Sequence, residues 1–148
     1  MSERSEEAVR LFKEGYNCSQ SVVGAYADLF NIDKKLAMQM VSGFGAGMGR
    51  MREVCGAMSG MIFISNLKNG NYEPKDIEAK TKNYEIVRRL AKEFKEANGG
   101  SIICRELLGI EKMESSAKPA ERTNEYYKKR PCIEVVRQAA LIIEKSLL

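Results

Sequence analysis

The chain has 148 residues, 44% hydrophobic and 30% charged, and 24 basic against 20 acidic side chains leave a net charge of +4. This is the composition of a globular protein long enough to bury a core without disulfides or a structural metal, and the charge is too mild to single out nucleic acid as a partner. Histidine is absent, which excludes the histidine-containing zinc sites, a Cys-His nucleophile pair and histidine-ligated haem from this chain alone.

Residues 3–14 are predicted as a first helix, with Ala8, Leu11 and Phe12 at helical spacing and Gly15 as its stop. Asn17 opens a second helix, because Asn-Cys-Ser-Gln places Asn17 at N-cap and Gln20 at N3 of a capping box. Its apolar set is Cys18, Val22, Ala25 or Tyr26, and Leu29. Asp33 caps a third helix from Lys34 to about Phe44. Gly43, Gly45, Gly47 and Gly49 alternate in G-F-G-A-G-M-G-R and argue against regular helix there. Arg52 to about Leu67 is apolar almost all round and is expected to be the buried central helix.

Pro74 is expected to start the longest helix, which runs to about Ala97 with Ile77, Thr81, Tyr84, Val87, Ala91 and Phe94 facing inward. Asn98-Gly99-Gly100 stops it. Ser101 can cap a short helix from Ile102 to about Leu108. Residues 109–124 read as a polar loop around Pro119 with one helical turn at most. Tyr126 to Arg130 reads as a solvated basic turn. Pro131 fits the first position of a last helix ending near Lys145, with Ile133, Val136, Ala140 and Ile143 inward. No strand and no repeat emerges. The expected architecture is all-α: a single-domain bundle of five to seven helices over residues 1–148. No run of about 18 apolar residues occurs, so no membrane span is expected. The charged start, Met-Ser-Glu-Arg-Ser-Glu-Glu, lacks the apolar core of a signal peptide, and the expected compartment is a reducing cytoplasm.

The four cysteines are Cys18, Cys55, Cys104 and Cys132. None forms a Cys-x-x-Cys pair, so neither a zinc knuckle nor a thioredoxin-like motif is present. On the predicted helices Cys18 is N1, Cys104 N3, Cys132 N2, and Cys55 lies within about a turn of a helix start. Helix N-termini concentrate unpaired amides and the positive end of the dipole. Both stabilise thiolate over thiol, and thiolate is the nucleophile and the metal ligand. They also suit an anionic guest such as a four-thiolate metal centre. A buried cysteine also serves as a plain small hydrophobe, so placement alone leaves both readings open.

Cys18, then Cys-Gly-Ala-Met-Ser-Gly at 55–60, then Cys104 and Cys132 resemble the signature of the redox-active protein family known as C_GCAxxG_C_C. The resemblance covers nearly the whole chain, and the glycine-rich stretch before Cys55 is similar to the segment that family carries there. It implies a redox role for Cys18, Cys55, Cys104 and Cys132. Related domains occur joined to c-type cytochromes and are associated with an iron–sulfur centre. This chain lacks the Cys-x-x-Cys-His haem motif and corresponds to the cysteine domain alone.

Several other features have two readings each. Gly56 and Gly60, four apart on one helix face, make room either for a cluster beside Cys55 or for a neighbouring helix. The glycine run, Gly47 and Gly49 in particular, is either a flexible connection or a backbone nest donating to a thiolate or cluster sulfur. It lacks the Gly-Lys-Ser/Thr ending of a P-loop. Arg50 and Arg52 are expected to be solvated, with a lowered proton affinity at Cys55 as the alternative. Six of the eight methionines lie between 38 and 61 and read first as core filler, second as a Cu(I) or adaptable surface.

The first expectation is a redox protein whose Cys18, Cys55, Cys104 and Cys132 hold a metal centre, iron–sulfur in kind, and exchange electrons with a protein partner. The alternatives are metal-free thiol–disulfide chemistry with a partner or small thiol, and a non-catalytic helical module with structural zinc or plain buried thiols. Whether the protein is an enzyme, which cysteines pair and the oligomeric state stay open.

Overall fold

A computed structural model describes residues 2–110 and 116–148, leaving aside the side chain of Lys129. Among the described residues nine helical elements occur: α1 Glu3–Lys13, α2 Cys18–Gly24, α3 Lys34–Met40, α4 Gly45–Met48, α5 Gly56–Asn69, α6 Ile77–Ala97, α7 Cys104–Leu108, α8 Asn124–Lys129 and α9 Cys132–Leu147. Two 3₁₀ turns, Ala27–Phe30 and Ser42–Phe44, complete the set. The all-α expectation holds. The count exceeds five to seven because α4 and α8 were not predicted; the predicted second and third helices each shorten and are followed by a 3₁₀ turn. Part of the predicted polar loop, residues 111–115, lies outside the described residues.

The short α2 is the hub, packing on α1, α3 and α5, while α9 closes the bundle against α1, α5 and α6. Its start is built as predicted. The Asn17 side chain accepts from the Gln20 amide and the Gln20 side chain accepts from the Asn17 amide. Asn17 Nδ2 also donates to the Ser42 carbonyl at 2.8 Å, tying the α2 start to the segment before the glycines. Phe12, Tyr26, Met58, Met61, Ile64, Leu90, Phe94 and Ile143 are fully buried, each contributing roughly 1.5–3 kcal/mol of transfer free energy. The Tyr26 hydroxyl donates to the Ala140 carbonyl at 2.6 Å, so the one polar atom of this buried ring is satisfied across two helices.

Two predicted helix starts move by three residues or more. The central helix begins at Gly56, not Arg52, because residues 52–55 leave the helix to pair with residues 102–105. Val54 and Ile103 form an isolated antiparallel bridge. Cys55 N donates to Ile102 O at 2.8 Å and Cys104 N to Glu53 O at 2.6 Å. The longest helix begins at Ile77 with Asp76 as its cap. Its first turns stand in solvent. Ile77 is 67% and Tyr84 58% exposed, so these and Thr81 do not face inward, whereas Asn83, Leu90 and Phe94 do. Among the described residues no helix is long and apolar enough to cross a membrane.

Candidate functional site

Residues 46–52 form an unusual wall. Ala46, Gly47, Met48, Gly49, Arg50 and Arg52 all have positive φ, between 55° and 68°. This is a left-handed turn, closed by Gly49 N donating to Gly45 O at 3.0 Å. L-residues there cost roughly 1–2 kcal/mol each, and four of the six are not glycine. Gly47 is required twice over. Its φ is 67°, and a Cβ on it would lie 2.6 Å from both the Arg52 Cα and the Cys104 Cβ. Strain of this kind is characteristic of ligand clamps and active sites.

The wall encloses one side of a cavity of about 340 Å³, and Cys18, Cys55, Cys104 and Cys132 all line it. Four separate helix starts deliver them. Cys18 is the first residue of α2, Cys104 of α7 and Cys132 of α9, and Cys55 is the N-cap of α5. The expected N3 and N2 positions of Cys104 and Cys132 thus move to N1, because Ile103 and Pro131 are the caps. Pairing of 52–55 with 102–105 brings Cys55 and Cys104 together. The α8 segment, expected to be a solvated turn, closes the cavity instead. Tyr126 lines it between the Arg122 and Arg130 guanidinium groups, 5.8 and 4.6 Å from its ring centre. Arg122 anchors this cover by donating to the Phe12 and Tyr16 carbonyls.

Of the glycines singled out in the sequence, Gly47, Gly49 and Gly56 line the cavity and Gly60 does not. A Cβ at Gly56 would meet Phe44 O at 2.9 Å and the Cys18 Cβ at 3.3 Å. One at Gly60 would meet Ser19 O and Val22 Cβ, each at 3.1 Å. Gly60 therefore serves the close packing of α5 on α2, while Gly56 serves both packing and cavity. Arg50 and Arg52 are not simply solvated. Arg50 donates to the Ser116 and Lys118 carbonyls. Arg52 is buried, and its Nη1 lies 3.6 Å from the Cys104 Sγ. Of the six clustered methionines, Met38, Met58 and Met61 are core, and Met40, Met48 and Met51 are on the surface.

The four thiols differ in environment. All four are free. Cys18 and Cys132 hydrogen-bond to each other. That bond, with Arg130, Arg52 and Arg122 nearby, lowers the Cys132 thiol to about 7, whereas the same bond and burial raise Cys18 well above its ordinary value. Burial pushes Cys55 up to about 12, against the pull of the Ala57 and Met58 amides. Burial also raises Cys104, and the Arg52 hydrogen bond opposes it. Among the described residues no three metal-ligating side chains stand close enough to hold one ion.

Fold and site together define a class: an all-helical protein with four cysteines lining one cavity. The chain belongs to the family described as "Putative redox-active protein (C_GCAxxG_C_C)", whose pattern matches residues 16–146. No curated protein and no solved structure matches it.

Proposed function

We propose that this redox-active protein is an electron carrier whose Cys18, Cys55, Cys104 and Cys132 hold an iron–sulfur cluster. One observation carries the reading: four cysteines from four separate helices line a single cavity. A thiol–disulfide device needs two. The donor set is all thiol, as iron–sulfur clusters require. A cluster fills a volume, so its ligands surround a cavity, whereas a single zinc ion at about 2.3 Å from each sulfur draws them to a point.

When bound, the cluster supplies the electron storage. The chain's own residues supply the rest. The cysteines bind as thiolates. Helix-start amides at Cys55 and the guanidinium groups of Arg52, Arg122 and Arg130 favour that negative charge. Tyr126, between Arg122 and Arg130, covers one side of the cavity. We assign the protein to a reducing cytoplasm, with a redox protein as its partner.

A second reading rests on the hydrogen bond between the Cys18 and Cys132 thiols. In a metal-free protein Cys132 would be the attacking thiolate and Cys18 the resolving thiol. A small thiol or a protein disulfide would be the counterpart. One experiment separates the two. Protein purified without oxygen is expected to show visible absorption that dithionite bleaches reversibly. A colourless protein that forms a Cys18–Cys132 disulfide on mild oxidation would replace the first reading with the second.

A further inference from the structure

Arg52 combines a strained backbone with a buried charge. Its φ is 59°, a conformation that glycine adopts without steric cost and arginine does not. Its side chain is only 3% exposed, although a guanidinium stays charged at every relevant pH. A glycine at this position would relieve the strain and leave no charge to bury. Strain that persists in spite of such an easy remedy points to the side chain as the reason.

The surroundings fix where that side chain goes. The Arg52 carbonyl accepts from the Arg105 amide at 3.1 Å and from Arg105 Nη1 at 3.3 Å. Arg105 is itself ion-paired with Glu53 at 3.1 Å. On the other side Gly47 packs directly on the Arg52 Cα. Held between these contacts, the residue sends its guanidinium into the cysteine cavity, where Nη1 reaches the Cys104 Sγ.

We propose that Arg52 is a positioning residue of the redox centre, a fixed buried cation beside the Cys104 sulfur that favours the reduced, more negative state of the centre. This rests on the redox reading of the four cysteines and applies whether the centre is a cluster or thiols. Arg52 transfers no electron or proton itself. It sets the electrostatic environment of a group that does.

The test uses the full chain with Arg52→Gly and Arg52→Lys, prepared without oxygen. Helical circular dichroism and thermal unfolding first establish that both variants fold, since Arg52→Gly relieves the left-handed strain and also empties a buried site. The midpoint potential of Arg52→Gly is expected to fall, by about 59 mV for each tenfold loss of preference for the reduced state in a one-electron couple. Arg52→Lys is expected to recover part of that shift. An unchanged potential in a folded Arg52→Gly would overturn the proposal. A parent protein without a cluster would overturn the cluster reading; the comparison then moves to the dithiol–disulfide midpoint of the metal-free cysteines, where an unchanged midpoint would likewise overturn the role of Arg52.

Discussion

A Cys55→Ser chain purified without oxygen will lose its iron and keep its fold. Cys55 is the N-cap of α5, and the Ala57 and Met58 amides face its sulfur. Serine is a preferred N-cap, so the helix start accepts it. The serine hydroxyl, in contrast, does not deprotonate to give a ligand of thiolate quality. Iron per chain is expected to fall at least roughly tenfold, the low end of what losing even a supporting contact at a metal site costs. Helical circular dichroism should be unchanged. The same outcome is expected for Cys18→Ser, Cys104→Ser and Cys132→Ser, since all four line the cavity. Iron retained in any one of them would remove that cysteine from the ligand set.

The second large effect is at Gly47. Gly47→Val places a β-branched side chain at a φ of 67°, at a cost of about 1–2 kcal/mol. Its Cβ would lie 2.6 Å from the Arg52 Cα, a backbone atom that the Arg105 bonds hold in place. Overpacking of this kind adds about 1–3 kcal/mol. For a chain of this length a combined loss near 3 kcal/mol lowers the melting temperature by about 6–12 °C. The clash also pushes on the Cys104 Cβ, so iron binding should fail along with stability. Thermal unfolding of Gly47→Val beside Gly49→Ala measures this. Gly49 has open space around it, so there only the left-handed backbone resists, and the loss should be smaller.

Local signals were legible wherever side chain and backbone satisfy each other within one turn. Asn17 and Gln20 form the capping box that their spacing predicts, and Cys18 is N1 as expected. Pro131 and Ser101 mark the starts of α9 and α7 to within three residues, and the shifts only move Cys104 and Cys132 closer to the helix ends. The glycine alternation marks non-helical backbone, but it does not reveal that Ala46, Met48, Arg50 and Arg52 share the left-handed conformation. Nothing about those four side chains favours it. The environment imposes it.

What escaped the sequence depends on contacts far apart along the chain. The pairing of 52–55 with 102–105 spans only a few residues on each side, too short for any alternation of apolar and polar positions to show. Yet it sets the start of α5 and brings Cys55 beside Cys104. The burial of Arg52 follows from that pairing, and composition alone assigns a charged residue to solvent. The Tyr126 to Arg130 stretch reads as a basic turn because the Phe12 ring that Tyr127 packs against lies more than a hundred residues away. The inward face of α6 was misread at its start because Ile77 and Tyr84 fit helical periodicity equally well on an exposed turn. A faint signal for the cover was present: two adjacent tyrosines are costly in a purely solvated turn, and Tyr127 packs edge-on to Phe12 at 6.2 Å.

The most direct measurement is iron, acid-labile sulfide and zinc per chain on protein purified without oxygen. Iron and sulfide together in near-stoichiometric, matching amounts are the predicted result. Stoichiometric zinc, or no metal with four titratable thiols, would contradict an iron–sulfur centre held by Cys18, Cys55, Cys104 and Cys132.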